Sequence, residues 1–210
     1  MNRICLTMVC MLLSSLAVGA WAQSPATAIS PDIRKAAEEK AVNLCSTCHG
    51  PQGVSTSPEF PILAGQRPGY LENQIEAFRS KTRSEKDAHD FMWGIAGNLD
   101  DKIIGGIAAY YAEQPAAPGR SNDPGLVARG KELFDKGVPA RGIPACMSCH
   151  GTNAEGMADF PRLAGQHAKY VTKQLNFIQS LVRSAPVMHG IVKDLAPAEI
   201  QAVAAYVQSK

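Results

Sequence analysis

The sequence predicts an all-α protein built from two copies of one domain, and three observations predict it. Apolar residues recur at helical spacing, no stretch alternates convincingly as a strand, and the chain matches itself at an offset near 100 residues. The 210 residues are 45% apolar and 19% charged, with a formal net charge of +2. That is too apolar for a disordered chain and too evenly balanced for a dedicated nucleic-acid binder. Domains of roughly 90 residues leave much of their surface in water, so they usually need a staple or an embedded cofactor.

The elements follow in order. Met1-Asn2-Arg3 places one positive charge before the apolar stretch Ile4 to Val18, and Ala20-Trp21-Ala22 offers small residues where a signal peptidase reads. Residues 1–22 are therefore expected to be a signal peptide cleaved before Gln23, with export to the periplasm. Cys5 and Cys10 would leave with it, and no later stretch approaches membrane-span length. Ser30 or Asp32 can cap a first helix running to about Leu44; Tyr70 to Ser80 reads as a middle helix and Asp100 to Ala112 as a last one. The Pro- and Gly-rich run from Gln114 to Gly125 reads as a linker. Beyond it, Asp123-Pro124 starts a helix, Tyr170 to Leu181 continues the pattern, and Pro197 to Gln208 closes it. The expected division is a first domain over 23–115, a linker over 116–125 and a second domain over 126–210.

The repeat aligns Cys45-Ser-Thr-Cys48-His49-Gly50 with Cys146-Met-Ser-Cys149-His150-Gly151. It also pairs Phe60-Pro61 with Phe160-Pro161, Leu63-Ala-Gly-Gln66 with Leu163-Ala-Gly-Gln166, Tyr70 with Tyr170, Gln74 with Gln174 and Arg83 with Arg183. The offset then falls to 96, where Met92 meets Met188, Leu99 meets Leu195 and Ala108-Ala-Tyr110 meets Ala204-Ala-Tyr206.

Cys-x-x-Cys-His is the attachment motif for c-type haem. Two thiols one turn apart meet one porphyrin edge, and the adjacent imidazole reaches the iron. Cys45, Cys48, Cys146 and Cys149 are therefore candidate attachment points for two covalent haem c groups, with His49 and His150 as iron ligands. A tetrahedral zinc site is the main rival, but 97 residues separate Cys48 from Cys146, far more than ribbon-like sites use. Two disulfides would leave both histidines and the repeat unexplained.

The far side of each iron decides the chemistry. Met92 lies 43 residues after His49 and Met188 lies 38 after His150, each shortly before a final helix. A thioether is a soft neutral ligand that raises the iron potential, and two protein ligands leave no open position for a substrate. Met157 follows His150 too closely to cross to the other face, and Met147 sits inside the attachment loop. His89 and His189 do not align with each other and read as exposed or capping; His167 has no counterpart and reads as a surface residue. The carbonyls of Pro61 and Pro161 are placed to accept the other imidazole N–H.

The duplicated set of Cys-x-x-Cys-His-Gly, Phe-Pro-x-Leu-Ala-Gly-Gln and a late methionine before an Ala-Ala-Tyr helix resembles the di-haem cytochrome c4 family. The resemblance implies two tandem class I cytochrome c domains, each wrapped around one covalent haem, with His49 and Met92 on the first iron and His150 and Met188 on the second. It also implies single-electron transfer in the periplasm between respiratory-chain donors and a terminal haem-copper oxidase. The longer segment Ser84 to Phe91 of the first copy departs from the repeat.

Charge is divided unevenly. Residues 23–119 carry 9 Lys plus Arg against 12 Asp plus Glu, and residues 120–210 carry 11 against 7, so the halves stand at −3 and +4. Such a dipole orients encounters with redox proteins and allows peripheral docking on a membrane complex. An electron carrier is the leading expectation. The alternative is a di-haem enzyme, a peroxidase or sulfur-compound oxidase, with one open or displaceable haem ligand.

Overall fold

The computed structural model describes residues 29–120 and 123–210, and the expected leader lies outside them. Among the described residues there is no strand, only isolated bridges. The first half holds α1 (Pro31–Lys40), α2 (Ser46–His49), α3 (Pro68–Arg79), α4 (Trp93–Ala96) and α5 (Asp101–Ala112). The second holds α6 (Pro124–Lys136), α7 (Met147–His150), α8 (Ala168–Gln179), α9 (Pro186–Val192) and α10 (Pro197–Gln208).

The helix starts obey local chemistry. Of the two candidate caps before α1, Ser30 takes the role, its hydroxyl accepting from the Ile33 N–H at 3.4 Å. Asp100 caps α5 through Ile103 N–H at 2.9 Å, and Asp123 caps α6 through Leu126 N–H at 2.8 Å. α1 does not run on to Leu44 as regular helix; it widens into a π-turn over Ala41–Cys45. A second π-turn, Ala88–Met92, precedes α4. Neither leaves a mark in the apolar spacing, because a π-turn adds one residue without breaking the helical sense.

In each half the first helix crosses the last at a glycine. A Cβ on Gly106 of α5 would press on Ala37 of α1, and one on Gly130 of α6 would collide with the Ala202 carbonyl of α10. Around these crossings grow two separate cores. One joins Ala37, Leu71, Ile103, Ile104, Ile107 and Tyr111; the other joins Phe134, Val171, Ile178, Ile200, Val203 and Val207. Burying each large side chain contributes roughly 1.5–3 kcal/mol.

The halves meet across a pseudo-twofold seam. The Gln166 side chain donates to the Ile62 carbonyl and accepts from the Ile62 N–H, both at 2.9 Å. Its repeat partner Gln66 does the same to Arg162, at 2.9 and 2.7 Å. Arg83 and Arg183 form an antiparallel bridge. Glu59 pairs with Lys169 and Lys173, and Lys173 with Asp87, so part of the charge imbalance between the halves is matched across the seam. The segment after α5 lies against this joint: Ala116 packs on Gly65, Ala117 on Gly165, and Arg120 N–H donates to the Gln208 carbonyl at 2.8 Å.

Candidate haem centres

Each Cys-x-x-Cys-His segment ends in a short helix, α2 or α7, whose final residue is the buried histidine. The next residue reverses the chain. Gly50 (φ 75°, ψ 164°) and Gly151 (φ 81°, ψ 155°) occupy a region essentially reserved for glycine. A Cβ on Gly50 would also collide with the Val54 carbonyl. The reversal brings Pro61 and Pro161 back over the imidazoles.

His49 Nδ1 lies 2.9 Å from the Pro61 carbonyl and His150 Nδ1 lies 3.0 Å from that of Pro161, as the spacing anticipates. A carbonyl only accepts, so Nδ1 carries the proton and Nε2 is left with its lone pair. His150 Nε2 is buried with no hydrogen-bond partner. Burial holds both imidazoles below the usual histidine pKa, against the smaller opposing effect of the proline carbonyls. A neutral ring with a free, buried Nε2 is what an iron ligand requires. Phe60 and Phe160 pack edge-on to the two imidazoles, at 6.2 and 6.4 Å between centroids.

The four cysteines of the two motifs are half-buried and form no disulfide. Burial pushes the Cys45 thiol up, with Tyr111 partly opposing it, and pushes Cys146 to about 11. Among the described residues no three His, Cys, Asp or Glu side chains converge on a point that would hold a metal ion, which leaves the zinc alternative without a site.

A cavity of about 730 Å³ reaches both halves, and its wall includes Cys45, Cys48, His49 and Met92 from the first and His150 and Met188 from the second. A smaller one, about 70 Å³, touches Cys146, Cys149, His150 and Met188. Met92 ends the second π-turn and packs on Phe78, Ala88 and Ala96; Met188 sits in α9 against the second core. Thus each half brings its cysteines, histidine and late methionine to one void, and the buried imidazole nitrogen, the apolar wall and the paired thiols fit a covalent porphyrin. Met157 is exposed and borders neither cavity.

The other histidines divide. His89 is exposed, bonded to Asp90 at 2.9 Å. His189 is half-buried and caps the end of α8 through the Ile178 carbonyl at 3.0 Å. His167 is not a surface residue. It is buried at the seam, with Nε2 3.0 Å from the Ser55 carbonyl of the other half, a contact between distant segments that no local spacing encodes.

The repeated Tyr, Gln and Arg, visible in the sequence but given no role there, meet at the seam where the two clefts join. Arg83 reaches Gln74 and Gln174, each at 3.1 Å. Arg183 reaches Gln174 and Gln74, both at 2.7 Å, and the Tyr70 hydroxyl at 3.1 Å. Burial would raise the Tyr70 phenol, but Arg183 and Arg83 outweigh it and hold it low. Burial works against the Arg183 charge, yet the two tyrosines and Glu85 keep it firmly protonated.

The family model for cytochrome c matches residues 127–210. Cytochrome c4 of Thiocapsa roseopersicina is 39% identical over 180 residues, which span 83% of this chain and 91% of that protein. A protein of Stutzerimonas stutzeri described as a thiosulfate dehydrogenase electron acceptor is 38% identical over 79% of this chain and 78% of its own length. The solved cytochrome c4 of Acidithiobacillus ferrooxidans superposes with a TM-score of 0.75 at 36% identity, covering 79% of this chain and 98% of that one.

Proposed function

The chain belongs to the di-haem cytochrome c4 family, a family of electron-transfer proteins with two covalently bound haem c groups, and on that premise we propose how its residues serve the transfer. Each haem c supplies an iron that gains and loses one electron. Cys45 and Cys48 tether the first haem and Cys146 and Cys149 the second; His49 and Met92 ligate the first iron, His150 and Met188 the second. The proline carbonyls fix each imidazole in one tautomer and one orientation, which keeps the ligand ready for either charge of the iron it would hold. The apolar cavity wall excludes water, and the thioethers hold both potentials high. Residues 23–115 and 126–210 act as two domains joined by 116–125. Their clefts share one cavity, which suits passage of an electron from one half to the other.

The carrying observation is the twice-repeated buried imidazole whose Nδ1 is committed to a proline carbonyl and which lines a cavity also bordered by a methionine. The protein is read as periplasmic, taking single electrons from a respiratory or sulfur-oxidising dehydrogenase and passing them to a terminal oxidase or another reductase. No helix of the described residues is long and apolar enough to cross a membrane. Docking is steered by the acidic first half and basic second half, at a rate that falls with salt. Redox-monitored visible spectroscopy of periplasmically expressed protein tests this. Two haems, methionine-type ligation at both and two reversible one-electron steps are expected. Rapid, stoichiometric carbon monoxide binding to the native reduced protein overturns it in favour of a di-haem enzyme.

A further inference from the structure

Away from the seam, the two copies differ most in the turn that leads to each late methionine. Residues 81–91 carry Lys81, Lys86, Asp87, His89 and Asp90, whereas the matching, shorter run 181–187 carries one ionisable group, the buried Arg183. What stands in the second turn is apolar and exposed: Leu181 at 66%, Val182 at 44% and Val187 at 70%. Leu181 and Val182 border neither cavity, while Val187 stands at the rim of the cleft that Met188 lines.

Leu181 follows Ser180, which ends α8, and sits at φ 61°. Glycine or asparagine fills such a position with little strain, and leucine does not. Its match Lys81, at φ 60°, lays its ammonium over the Trp93 ring, but the residue matching Trp93 is His189, which is turned to the Ile178 carbonyl. A strained leucine is thus kept with nothing in its own chain to lie on. Gly190 then bares one turn of α9. No atom comes within 4 Å of where its Cβ would stand, so packing inside the chain does not call for a residue that weakens the helix. At Gly106 and Gly130 the same bareness is where a second helix crosses. Gly94, the match of Gly190, is equally bare but follows the charged turn.

Charge and size indicate what covers this face. Lys193 and Asp194, which follow α9, pair with each other at 3.1 Å, so the patch asks for no opposite charge. Val187 and Gly190 lie one turn apart on one side of α9, a knob beside a hole, and a twofold axis sets each valine on the bare turn of the other copy. The patch is far smaller than the about 20–30 residues a side of a stable complex, and brief electron-transfer encounters use small interfaces.

We propose that the Leu181–Val182 turn and the outer side of α9 are a self-docking surface, on which two copies of this chain meet about a twofold axis and exchange an electron between their second halves. One electron leaves the second haem of a reduced copy and enters that of an oxidised copy; one is oxidised as the other is reduced, and no bond forms or breaks. The first half, with its charged turn, stays open to other redox proteins. This inference rests on the electron-carrier reading.

The test is proton NMR of the partly reduced holoprotein, where exchange between copies broadens the haem resonances in proportion to protein concentration. The wild type is expected to show this, at a rate held or raised by salt, which screens the repulsion of two second halves at +4 each. Leu181→Asn suits the left-handed turn and is expected to slow exchange about tenfold while visible spectrum and thermal stability are kept or improved. Gly190→Glu and Gly190→Lys are each expected to slow exchange at low salt and an equal mixture of them to recover it, because only a self-pairing face sets position 190 of one copy near that of another. Should either charged variant lose methionine-type ligation, Leu181→Asn and the concentration dependence decide. Broadening independent of concentration, wild-type exchange in Leu181→Asn, or a mixture no faster than its components overturns self-docking and leaves the carrier reading standing; haems that cannot be cycled reversibly overturn both. Binding to phosphatidylcholine–phosphatidylglycerol vesicles that Leu181→Asn abolishes, with exchange unchanged, overturns the proposal in favour of a lipid surface.

Discussion

Replacing Gln166 with Ala tests the seam most directly. Gln166 is 7% exposed and satisfies both backbone groups of Ile62, itself 7% exposed, while also accepting from His167 N–H at 3.1 Å. Truncation leaves a donor and an acceptor at Ile62 with neither protein partner nor easy access to water. At about 1–3 kcal/mol for each abandoned group, the loss comes to about 2–6 kcal/mol. Gln66→Ala makes the same cut at the other end of the dyad, but Arg162 is only half-buried, so water replaces part of what is lost and about 1–2 kcal/mol is expected. Urea unfolding of the holoprotein measures both, followed by far-ultraviolet circular dichroism and by haem absorbance. Gln166→Ala is also expected to separate the unfolding of the two halves, because each keeps its own core. A loss under about 0.5 kcal/mol, or equal losses for the two variants, would refute the reasoning that these side chains hold the halves together through buried backbone.

Further outcomes concern the centres themselves. Met92→Ala and Met188→Ala are each expected to lower one haem's potential and open that iron to carbon monoxide, and an unchanged spectrum and potential removes the ligand assignment. Gly50→Ala, forced into a glycine-only conformation against the Val54 carbonyl, is expected to cost about 1–3 kcal/mol in thermal or denaturant unfolding, whereas Gly94→Ala, with open space around its Cβ, should stabilise α4 by up to about 1 kcal/mol. Burial, with Arg120 adding to it, holds His167 below its usual pKa despite the Ser55 carbonyl. The folded protein then binds fewer protons there than the unfolded chain, so this stabilisation is complete above the unfolded value of about 6.5 and is lost as the pH falls through the lower folded one. His167→Gln should therefore reduce the acid sensitivity of unfolding in that window; an unchanged pH profile would refute it.

What the sequence made legible was whatever repeats or obeys short-range chemistry. A cap at Ser30 or Asp32, helix starts near Asp100 and at Asp123, and the Pro61 and Pro161 carbonyls beside the histidines follow from spacing within one copy. The π-turns at Ala41–Cys45 and Ala88–Met92 were not legible, nor were the short helices α4 and α9, because one or two turns have too few residues to show a period. His167 was misplaced on the surface for a different reason. Its partner is Ser55, 112 residues away, and a polar residue at a joint looks like a solvated one until the other half is present. The same holds for Gln66 and Gln166, whose repetition was plain while their task of reading each other's backbone was not.

The seam is also where the copies diverge. Inside each cleft the chain has little latitude, since the glycine reversal, the proline carbonyl and the buried imidazole must all keep one geometry. At the joint a single mechanical task is done by different chemistry on the two sides. Arg67 Nε reaches the Ala158 carbonyl at 3.1 Å, and its counterpart His167 reaches the Ser55 carbonyl at 3.0 Å, so one strap is permanently charged and the other titrates. Asp159 lies over Gly69, whereas the matching Glu59 binds Lys169. Glu85 faces two guanidiniums that Ala185 cannot answer. A duplicated protein of equal halves would give two haems of equal affinity for an electron and no preferred direction between them. Differences of charge at the joint offer a way to make the two sites unequal without replacing a residue of either ligand set, because a charge inside a low-dielectric seam is weakly screened.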